Sequence, residues 1–280
     1  MRIRQTEGNI DRVYAETLVR EAGFVMPAHH CHPYYELFAV ERGVCRFLAG
    51  EQMLDLHSGD LLLIPPQVLH YTRYLFGACR RSAVFFRAED VEEGTAALLP
   101  GGREFFTRPR VLQIPVAHQE QAAAHFQRMA AESHLGDARS PLLLHAQLQE
   151  LLLRCGRDCQ FPGELPAELH TSERSILLAA RYIREHYRQR LCTAEIAAHA
   201  GFSPNYLTRK FREAAGIGLH EYLALVRLQA AAGELLSTRD SVTEIALRCG
   251  FSDSNYFKDA FKKHYGLTPR AYRRAEREGD

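Results

Sequence analysis

The 280-residue chain has no apolar run approaching the ~20 residues that a membrane-spanning helix needs. Its first residues, Met1 to Glu7, lack the apolar stretch of a signal peptide. No CxxC pair occurs among the seven cysteines at 31, 45, 79, 155, 159, 192 and 249. Cys155 and Cys159 share a helical spacing, but no second pair accompanies them to complete a zinc site. Charge of one sign is not in excess either, the formal net charge being +1. These absences exclude a helical membrane protein and argue against export and a cysteine-rich metal module. The expectation is a cytoplasmic protein with reduced, mostly buried thiols and no membrane partner.

What is present is a globular composition, 46% hydrophobic and 25% charged, long enough for two domains. The small net charge hides an asymmetry. Residues 173–280 hold 18 Lys and Arg against 13 Asp and Glu, a net +5, while residues 1–172 carry −4. One half is therefore suited to meet a polyanion.

Residues 15–90 read as short strands separated by Gly and Pro, as in "YYELFAVERG", "VCRFLAGEQMLDL" with its turn at Ala49-Gly50-Glu51, and "GDLLLIPP". That texture predicts an antiparallel sandwich or small barrel. After Pro115 it becomes helical, in "AHQEQAAAHFQRMAAESH" and "PLLLHAQLQELLLRC". Leu144, Leu148, Leu151 and Leu152 form a stripe in the second segment. Two readings stay open for it, packing within the domain and the seam of a homodimer. Residues 155–172, with two prolines and two glycines, read as a linker. The division is thus a sensing and dimerisation domain at 1–154, the linker, and a helical domain at 173–280.

The helical domain repeats itself. "GFSPNYLTRKF" at 201–211 returns as "GFSDSNYFKDAF" at 250–261. Glu195-Ile196-Ala197 matches Glu244-Ile245-Ala246, and Phe211, Gly216 and Tyr222 match Phe261, Gly266 and Tyr272. Each unit reads as helix, glycine turn, helix. Gly201 and Gly250 suit a left-handed helix terminus. Ser203 with Pro204, and Ser252 or Asp253, suit the start of the next helix. Leu207, Phe211 and Ala214, or Phe257, Phe261 and Tyr265, form the apolar face. The opposite face carries Asn205, Thr208, Arg209 and Arg212, or Asn255, Lys258, Asp259 and Lys262. Such side chains read base edges and phosphates in the major groove. Two units in one body would reach grooves about 34 Å apart.

Residues 173–275 resemble the DNA-binding domain of the AraC/XylS family of bacterial transcription regulators. The stretch "VTEIALRCGFSDSNYFKDAFKKHYGLTPRAYR" carries the likeness most specifically. The resemblance implies two helix-turn-helix modules on a long central helix, with base-facing residues Asn205, Thr208, Arg209, Ser254, Asn255 and Lys258. Tyr206, Arg212 and Lys262 complete the expected DNA-binding set. Two departures stand out: Asp259 where the family often has a basic residue, and Glu234 where the central helix usually has leucine.

In the first half, His30-x-His32-x3-Glu36-x6-Gly43, then Gly59-x5-Pro65 and His70, resemble the two motifs of the cupin barrel. Gln67 and Tyr74 stand where glycine and asparagine are usual. The resemblance implies a pocket built by His30, His32, Tyr34, Glu36, Arg46 and His70. Its occupant is either a small organic effector, a sugar or an aromatic acid, or a divalent metal on His30, His32, Glu36 and His70.

The fold expected is α+β, a cupin-like antiparallel barrel with flanking helices followed by an all-α domain. The function expected is a transcription regulator, most naturally an activator, that binds double-stranded DNA, answers a small effector, forms a homodimer and engages RNA polymerase. A metal-dependent cupin enzyme, or a metal-sensing regulator, is the alternative. The enzyme reading leaves the last hundred residues unexplained, and nothing in the chain requires catalysis.

Overall fold

The computed structural model describes residues 12–24, 26, 30–49, 52–74, 77–161 and 171–277. Contacts divide the chain into Met1–Ala167 and Glu168–Asp280.

Among the described residues the first unit holds eight antiparallel strands: β1 (Tyr14–Arg20), β2 (Tyr35–Arg42), β3 (Val44–Ala49), β4 (Gln52–His57), β5 (Asp60–Ile64), β6 (His70–Arg73), β7 (Cys79–Phe86) and β8 (Arg110–Gln113). They form a five-stranded sheet in the order β1-β7-β2-β5-β8 and a three-stranded sheet in the order β4-β3-β6. Strand alternation sorts the side chains between two cores. Phe38 and Val40 of β2, Leu62 and Ile64 of β5, Cys45 and Phe47 of β3, and Leu54 and Leu56 of β4 pack together in one. Leu37 and Ala39, Leu61 and Leu63, and Val84 and Phe86 point the other way, into a second core. Strand β5 is buried throughout, which explains its uninterrupted apolar run. The β2–β3 turn needs Gly43, because φ is +97° and a Cβ there would lie 2.7 Å from the Ala78 carbonyl oxygen.

Helices α1 (Glu93–Leu98), α2 (Val116–Leu135) and α3 (Ser140–Asp158) follow. Here the structure settles the leucine stripe. Leu144, Leu148, Leu151 and Leu152 are each at most 3% exposed and join the outer core of the large sheet. The homodimer-seam reading of this stripe is corrected, since these side chains already have intramolecular partners. The expected linker also starts later than position 155. Helix α3 runs through Cys155 to Asp158, and Gln160 exchanges backbone hydrogen bonds with Gln113 of β8 at 2.8 and 2.9 Å. Residues 162–170 of that linker, and the Gly50-Glu51 turn, lie outside the described residues.

The second unit is helical: α4 (Thr171–His186), α5 (Thr193–His199), α6 (Pro204–Ala215), α7 (Leu219–Ser237), α8 (Val242–Arg248), α9 (Ser254–Tyr265) and α10 (Pro269–Arg277). Helix α7 is the long central element, and its Leu228, Ala231, Ala232 and Leu235 pack with Ile245, Phe257 and Phe261. No helix among the described residues is long and apolar enough to cross a membrane.

Leu148 is wholly buried. Leu148→Ala should therefore remove about 2–5 kcal/mol from the first unit. Thermal unfolding should show that loss, and sedimentation should show an unchanged mass.

Candidate nucleic-acid interface and barrel site

The two reading units are built by the same local devices. The repeated glutamate is a capping device. Glu195 Oε2 accepts from the Cys192 backbone N–H at 2.9 Å, and Glu244 Oε2 accepts from that of Ser241 at 2.8 Å. Each first helix ends in a Schellman turn. Phe202 N–H donates to the Ala197 carbonyl at 2.9 Å, and Phe251 N–H to Ala246 at 3.0 Å. Between them Gly201 and Gly250 adopt φ of +74° and +90°. Asp253 caps α9, its Oδ1 accepting from Asn255 N–H at 2.7 Å. Ser203 occupies the corresponding position of α6 without a side-chain capping bond.

Leu207, Phe211 and Ala215 of α6, and Phe257 and Phe261 of α9, are fully buried. Full burial falls on Ala215 rather than on Ala214, and Tyr265 is only partly buried. On the other face Asn205, Thr208, Arg209, Arg212, Asn255, Lys258, Asp259 and Lys262 are exposed, and Ser254 and Tyr206 are half-buried. Several of these side chains are pre-positioned. Tyr206 packs edge-on to Phe202 with ring centroids 4.6 Å apart. Arg209 lies 5.5 Å from the Tyr206 ring and 3.9 Å from Glu213. Thr208 spends its hydroxyl proton on the Pro204 carbonyl at 2.8 Å. The sequence reading missed Tyr256, which is 60% exposed at the start of α9. The repeated Asn-Tyr pair was the signal for it.

Glu234, which stands where leucine is usual, is held in an ion-pair network. Its side chain is 18% exposed and receives Arg248 at 2.6 Å and Arg188 at 3.7 Å. Arg248 also reaches Asp240 at 2.7 Å. The acid therefore ties α7 to α8 and to the segment after α4.

In the first unit His30, His32, Glu36 and His70 come together. Strand β2 supplies Glu36, β6 supplies His70, and His30 is bridged to His70 by backbone hydrogen bonds of 2.9 and 3.1 Å. The His32 and His70 rings are 4.9 Å apart, and Tyr34 stacks on His32 at 4.2 Å. Glu36 Oε2 is 3.1 Å from His32 Nε2 and 3.3 Å from His70 Nε2. Burial lowers the His32 pKa although its Glu36 contact acts the other way. Burial also opposes charge on Glu36, yet the two histidines outweigh it and hold the carboxyl well below its usual range. The ring nitrogens of His30, His32 and His70 lie within 4.8 Å of one another, a donor set that suits a transition-metal ion, with the Glu36 carboxylate beside two of them.

Arg46 does not join this group. It lies between Cys45 and Phe47, which face the inner core, and alternation turns it to the opposite face. There it makes a two-pronged bond to Asp55, both contacts 2.7 Å. The inner face instead receives Arg81, 7% exposed and 2.6 Å from Glu16. Gln67 holds φ of +61°, so the backbone keeps the left-handed geometry that a glycine would take there. Its N–H donates to the His32 carbonyl at 2.8 Å, which fixes the segment beside the cluster.

Residues 17–152 match the family described as an AraC-like ligand binding domain, and residues 196–275 match a helix-turn-helix domain. The chain belongs to the AraC family of transcription regulators. Among AraC-family relatives, it is 27% identical over 272 residues to the HTH-type transcriptional activator RhaS of Klebsiella pneumoniae (strain 342), covering 95% of this chain and 94% of that one. It is 26% identical over 252 residues to RhaS of Escherichia coli O81 (strain ED1a), covering 88% and 87%. The solved C-terminal domain of AraT from Geobacillus stearothermophilus is 34% identical, covers 39% of this chain and 88% of that one, and gives a TM-score of 0.34.

The two glycine turns differ in their surroundings. A Cβ on Gly250 would lie 2.6 Å from the Tyr187 carbonyl oxygen, whereas one on Gly201 meets nothing within 4 Å. Gly201→Ala should therefore show only the left-handed penalty, about 1–2 kcal/mol. Gly250→Ala should be clearly worse, and chemical denaturation of the two variants checks the order.

Proposed function

We propose that this chain is a DNA-binding transcription regulator, acting as an activator in the cytoplasm under control of a small effector held by the barrel. The observation that carries this reading is the doubled module: two capped, glycine-turned helices present polar and basic faces from one body. The basic charge of residues 173–280 supplies attraction for phosphates. The RhaS relatives are transcriptional activators, which supports the sign of regulation.

In this reading Asn205, Thr208 and Arg209 contact bases from α6, and Ser254, Asn255 and Lys258 do so from α9. Arg209 suits guanine and the asparagines suit adenine. Tyr206 orients Arg209, and Arg212 and Lys262 meet phosphates. Asp259 weakens the attraction of α9 for phosphate and leaves α6 the stronger reader. His30, His32, Tyr34, Glu36 and His70 mark the effector side of the barrel, whose organic candidates are a sugar or an aromatic acid. The regulator works as a homodimer and engages RNA polymerase. Leu135, Leu142 and Leu143 near the α2–α3 turn are exposed by 68%, 77% and 45% and offer the apolar surface for pairing, in place of the buried stripe.

Footprinting of the full chain on its operator should show two protected major-groove segments about one helical turn apart. Arg209→Ala should weaken binding by ~1–3 kcal/mol and relax the choice of one base pair. One protected segment, or uniform weakening across sequences, would refute the two-reader assignment. A thermal-shift screen with sugars and aromatic acids should raise the melting temperature for the true effector.

A further inference from the structure

Cys155 and Cys159 stand four residues apart where α3 ends, and neither the reading helices nor the barrel site uses them. Asp158 is the last helical residue, and Cys159 has already left helical geometry with φ −80° and ψ 146°. Its N–H still donates to the Cys155 carbonyl at 3.3 Å, which closes the final turn. Cys155 is 3% exposed and belongs to the outer core of the large sheet, whereas Cys159 is only partly buried against it. Both face a cleft with about 370 Å³ of empty space, lined also by Leu61, Phe126, Leu151 and Arg154. Among the described residues no third His, Cys, Asp or Glu joins them in a group that could hold a metal ion. A dithiol without a third ligand is suited to redox chemistry instead.

The two sulfurs are unequal. The thiols hydrogen-bond to each other, with Cys155 as donor. That donation, with burial, holds the Cys155 proton on well above the usual thiol range. Acceptance of the same bond lowers the pKa of Cys159. The more exposed sulfur is therefore the one more readily ionised, and the thiolate is the reactive form.

The spacing permits a bond between them at a structural cost. Four residues of helix place the Cα atoms about 6 Å apart, inside the range that disulfides span. The Cβ atoms of such a pair lie ~5–6 Å apart, but a disulfide needs ~3.8 Å. Cys155 is fixed in the core, so the contraction falls on Cys159 beyond the helix. The next residue, Gln160, holds Gln113 through backbone bonds of 2.8 and 2.9 Å, too short to survive a shift of that size.

We propose that Cys155 and Cys159 are a reversible peroxide-oxidation site, whose disulfide detaches Gln160 from β8. The Cys159 thiolate attacks one oxygen of hydrogen peroxide, the O–O bond breaks, and hydroxide leaves from a sulfenic acid. The Cys155 sulfur gives up its proton and attacks the Cys159 sulfur, the S–O bond breaks, and a second hydroxide leaves. With the two protons released by the thiols, the balance is one disulfide and two waters, the dithiol losing two electrons and the peroxide gaining them. A thiol reductant reverses the bond. The inference stands apart from the DNA-binding reading, which operator footprinting tests separately.

Full-length protein is reduced, desalted into EDTA, treated with hydrogen peroxide and alkylated. Trypsin cleaves after Arg154, Arg157 and Arg174, so the two cysteines fall in separate peptides, 155–157 and 158–174. The expected product is one linked pair of these peptides, which dithiothreitol separates. It should form about tenfold or more faster than oxidation of Cys192, which is exposed and serves as the internal reference. Cys155→Ala should leave Cys159 as a sulfenic acid that dimedone captures. Cys159→Ser, a change at a partly exposed site, should leave Cys155 unmodified and guards against misfolding of the core variant. Hydrogen exchange at the Gln113 and Gln160 amides should quicken on oxidation of the wild type and stay unchanged in Cys159→Ser. No linked pair, linkage no faster than Cys192 oxidation, Cys155 oxidised in Cys159→Ser, or unchanged exchange in the disulfide form would overturn the proposal.

Discussion

The turn between each pair of reading helices is the constraint on which the second unit depends. A helix must stop within one residue, reverse its backbone into the left-handed region and restart at a steep angle. Gly201 and Gly250 make the reversal possible, and the N–H of the following phenylalanine closes it on a carbonyl five residues back. The angle sets which face of α6 and α9 looks outward. Burial of Phe211 and Phe261 then fixes the rotation of each helix about its own axis. The polar faces follow from these two conditions and need no interaction of their own to orient them.

This explains why the helical half was legible in the sequence. Its caps, glycines and apolar spacings are all local, each within a dozen residues of what it controls. The repetition of Glu195 and Glu244 was visible, but its cause, a reciprocal bond at the helix start, needed coordinates. The barrel was legible in part. β2 to β5 announced themselves individually by alternation and turns, β1, β6 and β7 fell within the strand-rich stretch without being picked out, and β8 lay beyond it. Arg46 was misplaced for lack of a parity argument: its neighbours Cys45 and Phe47 are apolar, and a strand cannot put all three on one face. The leucine stripe stayed open because periodicity reveals an apolar face and not what covers it.

The barrel's inner face is unusual in what it buries. His32, Glu36, His70 and Arg81 lie among Phe38, Phe47 and Phe85. Arg81 is met by Glu16, and Glu36 lies between two imidazoles. Removing one partner leaves the other stranded in a poor solvent, so such groups are retained or lost together. Arg81 Nε and Nη1 are buried without a hydrogen-bond partner among the described residues.

Gln160 turns the large sheet into something more than a wall. Glu36 pairs across to Ile64, Leu62 pairs across to Val111, and Gln113 of that same strand pairs with Gln160. A row of transverse hydrogen bonds thus runs from the strand carrying the carboxylate to the chain just before residue 162. Sheets yield easily to twisting but resist stretching along that direction. A sideways displacement of β2 would therefore be carried along these bonds toward the last described residues of the first unit.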